Sequence, residues 1–204
     1  MRELISSIYK IFRKVRVMIS NFLSLYWTRF LFYCNKIDTG SVSSKGVPYV
    51  MIARGGKCRV GQDLRLNNSI SSNPIGRVQR CSLVVGPGAS LLIGDHVGMS
   101  FVAINCQHSI TIGDHVMIGG GTCIYDTDFH PLSVSKRNAN ENDSTQKAAV
   151  IIGNNVFIGA NSTVLKGVQI GDGAVIGACS VVTKSVPAGE IWAGNPARFI
   201  KKME

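Results

Sequence analysis

The sequence predicts an all-β fold in which the chain winds into coils with three short parallel sides. The main observation is a ladder of aliphatic residues spaced by six: Ile152, Ile158, Val164, Ile170, Ile176 and Val182. An α-helix requires a period near 3.6 and an alternating strand a period of 2, so neither explains the ladder. A coil with about six residues per side explains it, because one aliphatic plug per side then points inward.

A second ladder with the same spacing contains small side chains: Val156, Ser162, Val168, Ala174, Ser180 and Val186. Gly or Leu follows five of the six plugs, and a missing Cβ lets the chain turn a tight corner. The spacing returns upstream in residues 83–98 and 110–124. We therefore expect one domain of stacked coils over residues 47–204, with a C-terminal tail over 187–204.

Residues 1–46 are predicted to form an N-terminal amphipathic helix, over 1–33, and a polar connection. On a helical wheel, one arc carries Leu4, Ile8, Ile11, Phe12, Val15, Met18, Ile19, Phe22, Tyr26 and Phe30. The opposite arc carries Arg2, Lys10, Arg13, Lys14 and Arg16. The uncharged run over 17–28 is too short to span a bilayer, and no signal-peptide cleavage pattern follows. The helix either packs on the coils or lies in a membrane interface.

The net charge of +10 is concentrated at the N-terminus, where residues 1–36 hold seven basic residues against one acidic residue. This bias favours a solvated helix face, or attraction to anionic lipid or to a lipid-linked glycan carrier. Nucleic acid is a weaker candidate partner, because the sequence has no basic patch interleaved with aromatic residues. The six cysteines contain no CxxC pair, which argues against a zinc or redox site and favours a reducing, cytoplasmic location.

Residues 131–149 interrupt the six-residue pattern with a polar segment that has no strand or helix period. A loop of this length inside a compact fold is usually functional or disordered. Directly before it stands YDTDFHP, residues 125–131, which contains His130 between intact repeats on both sides.

The segment 151–202 resembles the C-terminal half of hexapeptide-repeat acyltransferases, particularly the maltose and galactoside O-acetyltransferases and their polysaccharide-modifying relatives. The resemblance implies a left-handed parallel β-helix, a homotrimer and donor sites between subunits. It also implies that the long loop helps to wall the active site.

In the resembling enzymes, a histidine at the position of His130 is the general base. An imidazole can take a proton from an acceptor hydroxyl at neutral pH and return it to the leaving thiol. Asp126 or Asp128 is expected to orient the ring, although either could instead cap a turn. Ser100 aligns with an Asn that lies near the oxyanion in the family, and the change to Ser weakens that assignment.

The resemblance also implies a donor groove for acetyl-CoA. Small residues there pair with the pantetheine arm, cationic and hydroxyl groups hold the phosphate end, and an aromatic residue lines the acyl or sugar pocket. Ala160 and Ala178 match the small residues, and Phe157 matches the aromatic residue. The positions that match the phosphate end are Thr183, Lys184, Arg198 and Lys201. Lys201 replaces the usual Arg and loses its bidentate fork.

We therefore expect an acetyl-CoA-dependent O-acetyltransferase that acts on a sugar hydroxyl in surface polysaccharide or glycolipid biosynthesis. An N-acetyltransferase on an amino sugar or antibiotic, and a non-enzymatic β-helix scaffold, remain alternatives. A γ-type carbonic anhydrase needs three zinc-binding histidines, two of them five residues apart. The spacings between the four histidines here are 12, 7 and 15, so no metal is expected.

Overall fold

The computed structural model describes residues 1–75, 79–139, 141 and 145–203, and its body is a left-handed parallel β-helix. The strands of these residues form three sheets. Sheet A contains β1 (Asp38–Thr39), β4 (Lys57–Val60), β7 (Ser90–Ile93), β10 (Ser109–Ile112), β13 (Val150–Ile152) and β16 (Gln169–Ile170). Sheet B contains β2 (Val42–Lys45), β5 (Leu64–Asn67), β8 (Gly98–Ser100), β11 (Met117–Ile118), β14 (Phe157–Ile158), β17 (Val175–Ile176), β19 (Glu190–Gly194) and β20 (Ala197–Lys202). Sheet C contains β3 (Tyr49–Ile52), β6 (Ser82–Val85), β9 (Ala103–Cys106), β12 (Cys123–Tyr125), β15 (Thr163–Val164) and β18 (Val181–Val182).

The predicted ladder forms the axis of the core. Ile152 pairs with Ile170, Ile158 with Ile176 and Val164 with Val182, so each plug stacks on the plug one coil, or eighteen residues, further along. All six side chains are at most 1% exposed. The prediction of a coil with three sides and one inward plug per side is confirmed.

Three columns of turns join the sheets, and we name each corner by the sheets it connects. The B–C corner contains residues 101–102, 119–122, 159–162 and 177–180. The C–A corner contains residues 86–89, 107–108, 126–149, 165–168 and 183–185. Residues 140 and 142–144 of the predicted loop lie outside the described part of the chain. The loop includes a short helix, α2 (Val134–Asn138), that the sequence pattern did not indicate.

The coils begin earlier than predicted. The expected polar connection over 35–46 contains β1 and β2, which pair in parallel with β4 and β5. Ser44 is buried in β2, where its hydroxyl accepts a bond from Asn68 Nδ2 (3.1 Å) and donates to the Gly46 carbonyl (2.6 Å). A small polar residue with its hydrogen bonds satisfied thus fills an inward position. Because this position is not apolar, the spacing of apolar residues does not indicate the strand.

Helix α1 (Arg2–Cys34) is present as predicted. Its last turns pack against β2, and Phe32 is fully buried in the core. At its end, the Asn35 side chain accepts the Ile52 backbone N–H (3.1 Å) and so ties the helix to β3. Within the described residues, no helix combines the length and apolar character needed to cross a membrane.

The predicted C-terminal tail is an antiparallel hairpin of β19 and β20, apart from Glu204, which lies outside the described residues. Strand β19 pairs in parallel with β17, with Ile176 opposite Trp192. The hairpin therefore extends sheet B beyond the last coil.

Candidate active site

A short antiparallel ribbon closes the base of the long loop at the C–A corner. Ala148 donates its backbone N–H to the Asp126 carbonyl (3.0 Å), and Asp128 donates to the Gln146 carbonyl (3.2 Å). An isolated bridge joins Thr127 and Lys147 between them. The loop thus leaves the coil through two hydrogen-bonded segments. Their pairing sets the position of the residues that follow Asp128.

His130 lies on a tight turn directly after this ribbon. Its backbone N–H donates to the Asp128 carbonyl (2.7 Å), and the preceding Phe129 adopts a positive φ of 63°. The Phe129 ring packs edge-on against Tyr125, with centroids 5.0 Å apart, and the following Pro131 is buried. The backbone of His130 is therefore held on both sides while its side chain is exposed. An exposed imidazole on a fixed turn can exchange a proton with a bound substrate.

Asp126 is fully buried and holds a turn of the neighbouring coil by hydrogen bonds. Its Oδ1 accepts the backbone N–H of Gln107 (2.7 Å) and its Oδ2 accepts that of His108 (2.8 Å), so both oxygens are used by the neighbouring coil. Of the two alternatives for this residue, these bonds support the cap. Burial, followed by the nearby Asp126 charge, raises the pKa of the Cys106 thiol to about 12, which keeps that thiol protonated.

Asp128 has a different environment. Its Oδ1 lies 2.9 Å from Nζ of Lys166, a residue of the next turn along the C–A corner. Within the described residues, its buried Oδ2 has no hydrogen-bond partner. Lys166 was not predicted from the sequence. Stacking the repeats in register would have placed its turn beside the base of the loop.

Ser100 ends β8 next to the B–C corner and is 8% exposed. Its Oγ accepts a hydrogen bond from Asn67 Nδ2 (3.1 Å), which leaves the hydroxyl proton free to donate elsewhere. It lines a cavity of about 440 Å³ on the outer face of sheet B. Ser100 and His130 therefore lie at different corners of the coil.

The two predicted small residues of the donor groove lie together at the B–C corner. Cys179 donates its backbone N–H to the Ala160 carbonyl (2.8 Å), so Ala160 and Ala178 occupy equivalent turns of successive coils. A Cβ on Gly119 would lie 2.4 Å from the Ala160 nitrogen, and one on Gly159 would lie 2.4 Å from that of Ala178. The corner is therefore a narrow edge with very short side chains.

The predicted phosphate-end residues are all exposed but lie elsewhere. Thr183 and Lys184 are at the C–A corner, across sheet C from the alanines, and Arg198 and Lys201 are on β20. Phe157 projects from the outer face of sheet B, in register with Met117 and Val175, and is 44% exposed. The structure thus groups the alanines at one edge and distributes the cations around the end of the coil.

The remaining histidines are exposed turn residues, and the rings of His96 and His115 stack with centroids 4.7 Å apart. His108 is exposed at the C–A corner. Across the described part of the chain, no group of three or more His, Cys, Asp or Glu side chains is arranged to hold a metal ion. The histidine spacing remains the argument against a zinc site of the carbonic anhydrase type.

Comparison with known proteins supports the repeat assignment. The profile of bacterial transferase hexapeptide repeats (six repeats) matches residues 149–184. Protein CapG of Staphylococcus aureus is 46% identical over 95 residues, which cover 47% of this chain and 54% of CapG. A hexapeptide-repeat-containing acetyltransferase from Vibrio cholerae O1 biovar eltor, solved in complex with acetyl coenzyme A, is 34% identical with a TM-score of 0.51, covering 56% of this chain and 60% of that one. The polySia-specific acetyltransferase NeuO is 25% identical with a TM-score of 0.56, covering 81% of each chain.

Gamma carbonic anhydrase 1, a mitochondrial protein of Arabidopsis thaliana, also matches, with 32% identity over 137 residues that cover 58% of this chain. The chain spans about half the length of these two curated relatives, 48% of the carbonic anhydrase and 54% of CapG. In its repeats and its fold, the chain is similar to hexapeptide-repeat acetyltransferases.

Proposed function

We propose that this protein transfers an acetyl group from acetyl-CoA to a sugar hydroxyl, with His130 as the general base. The observation that carries the proposal is the exposed imidazole of His130 on a backbone turn held by Asp128, Phe129 and Pro131. Two similarities support it: the Vibrio cholerae acetyltransferase was solved with acetyl coenzyme A, and NeuO is specific for polysialic acid.

The reaction proceeds without a covalent enzyme intermediate. Neutral His130 takes the proton of the acceptor hydroxyl while its oxygen attacks the thioester carbonyl and forms a C–O bond. The tetrahedral oxyanion requires a hydrogen-bond donor, and the free hydroxyl proton of Ser100 is a candidate. The C–S bond then breaks as the intermediate collapses to the acetyl ester, and His130 passes the acceptor's proton to the coenzyme A thiolate. Asp128 is the better candidate to orient the ring, since both oxygens of Asp126 are occupied.

Acetyl-CoA is proposed to lie along the B–C corner, where Ala160 and Ala178 leave room for the pantetheine arm. Thr183, Lys184, Arg198 and Lys201 would hold its phosphate end, and Phe157 would line the acyl or sugar pocket. Ser100 and His130 lie at different corners of one chain. In a homotrimer, the B–C edge of one subunit can face the C–A edge of the next, which would unite them in sites between subunits.

The acceptor is proposed to belong to surface polysaccharide or glycolipid biosynthesis, on the cytoplasmic side of the membrane. All six cysteines lie in the described part of the chain and are free thiols, which supports a reducing compartment.

The test is an assay of the full chain with acetyl-CoA and a panel of glycan and amino-sugar acceptors. We expect thiol release that depends on a glycan acceptor, with a product that gains one acetyl group as an alkali-labile ester. An alkali-stable amide would instead identify an N-acetyltransferase. No thiol release with any acceptor, together with no thermal stabilisation by coenzyme A, would favour a scaffold.

A further inference from the structure

Helix α1 exposes a continuous apolar face along most of its 33 residues, a length of roughly 50 Å. Leu4, Phe12 and Met18 are each 66% exposed, Phe22 is 59% exposed and Phe30 is 52% exposed. A contiguous apolar patch of this size on a folded chain marks a surface that contacts something else.

This apolar face is not the surface that packs on the β-helix: toward its C-terminal end, Tyr26 and Phe30 border a hollow that Val47 also lines, but both side chains stay exposed. The buried residues of α1 are Ser24, Thr28 and Phe32, whose arc is centred roughly 160° from Phe12 at 100° per residue. Helix α1 therefore does pack on the coils, as one alternative expected, but it does so through these three residues and not through its apolar arc. The body lies behind the polar arc, and the apolar arc is left free along its length.

The charges of the helix indicate what covers that face. Arg2, Lys10, Arg13, Lys14 and Arg16 lie on the polar arc, and Glu3 is the single acidic residue of α1. An apolar stripe backed by a strongly basic face is typical of a helix that lies in the headgroup region of an anionic membrane.

Arg29 distinguishes a lipid surface from a second copy of the helix. By helical position it falls within the apolar arc, and it is exposed. In a seam between helices from two copies it would bury a charge without a partner. At a membrane surface its long side chain can reach the headgroups while its methylenes stay in the apolar layer.

We propose that α1 docks the protein parallel to the surface of an anionic lipid membrane, with its apolar arc in the acyl boundary and its basic residues among the headgroups. Docking holds the β-helix on the aqueous side, since the body lies behind the polar arc. The proposal is independent of the acetyl transfer reaction.

The test is co-sedimentation of the full chain with vesicles of phosphatidylcholine and phosphatidylglycerol, compared with phosphatidylcholine alone. We expect binding to the anionic vesicles that weakens as salt is added. Phe12→Glu should lower this binding by about tenfold or more, because it removes a large apolar anchor. Ser6→Glu is the matched control, since it adds the same charge on the polar arc, and it should bind far better than Phe12→Glu.

Equal and weak binding to both vesicle types, or equal binding by the two variants, would overturn the proposal. It would also be overturned if the chain ignores vesicles while Phe12→Glu, but not Ser6→Glu, reduces its mass in light scattering. That result would assign the face to contacts between copies. Thiol release measured without vesicles should be the same for both variants, so that failure of docking and failure of the enzymatic proposal are separable.

Discussion

The carboxylate Oδ1 of Asp128 lies 2.9 Å from Nζ of Lys166 and joins the base of the long loop to the next turn of the coil. The side chains are 23% and 26% exposed, so the pair is largely shielded from water. Because Asp128 also accepts the backbone N–H of His130 through its carbonyl, this ion pair helps to fix the turn that carries the proposed base.

Removal of one member of this pair should cost stability. Lys166→Ala leaves a partly buried carboxylate without its cation, so we expect the free energy of unfolding to fall by about 1–3 kcal/mol in urea titrations. The double variant Asp128→Asn/Lys166→Ala should lose less than the sum of the single losses. Lys202→Ala, on an exposed position, is the control. Strictly additive losses would mean that the two side chains do not interact.

Asp126 should matter for stability more than for chemistry. Asp126→Ala leaves two backbone N–H groups without their acceptor, and we expect the melting temperature to fall by roughly 5–10 °C. Asp126→Asn retains one acceptor oxygen and should lose less. Asp128→Asn should instead lower kcat/KM while the melting temperature changes little more than in Lys166→Ala. A loss of kcat/KM in the Asp126 variants, with a loss of melting temperature in Asp128→Asn, would mean that Asp126 acts in catalysis and Asp128 in stability.

The B–C corner should not tolerate added side chains. Gly119→Ala and Gly159→Ala each place a Cβ 2.4 Å from a backbone nitrogen of the next coil, so the coils must separate locally. We expect unfolding at clearly lower urea concentration, with losses of about 1–3 kcal/mol. Gly98→Ala is the matched control, because its Cβ would have no heavy atom within 4 Å. Equal stability of all three variants would contradict the close approach of these turns.

The exposed cations at the end of the coil should act on donor binding. Lys184→Ala and Lys201→Ala are expected to raise KM for acetyl-CoA several-fold, because an attraction to the phosphates present in both ground and transition states is lost. The value of kcat should stay within about twofold. Lys202→Ala, which neighbours Lys201 on β20, is the control for net charge. A fall in kcat at unchanged KM would place these lysines outside the donor site.

The coil could be predicted from the sequence because the spacing of the inward aliphatic residues equals the length of one side of the coil. Ile152, Ile158 and Val164 each reveal a side of the coil. An apolar pattern does not reveal β2, since Ser44 fills an inward position by hydrogen bonding instead of by apolar contact.

The site was less predictable because its contacts join residues from different coils. The Asp126 bonds to Gln107 and His108, and the Asp128 pair with Lys166, cross from one coil to another. Local spacing contains no information on which Asp turns inward. For the same reason, the wheel of α1 identified its apolar arc but not which arc meets the body, which is decided by Ser24, Thr28 and Phe32.

The proposed role of His130 as the base for direct acetyl transfer can be tested in one comparison. His130→Ala is compared with His108→Ala, an exposed histidine at the same corner, in an assay of thiol release with acetyl-CoA and a glycan acceptor. We predict that His130→Ala lowers kcat by about 10²- to 10⁴-fold, while coenzyme A still raises its melting temperature and His108→Ala stays near the parent rate. Near-normal turnover by His130→Ala would contradict the mechanism.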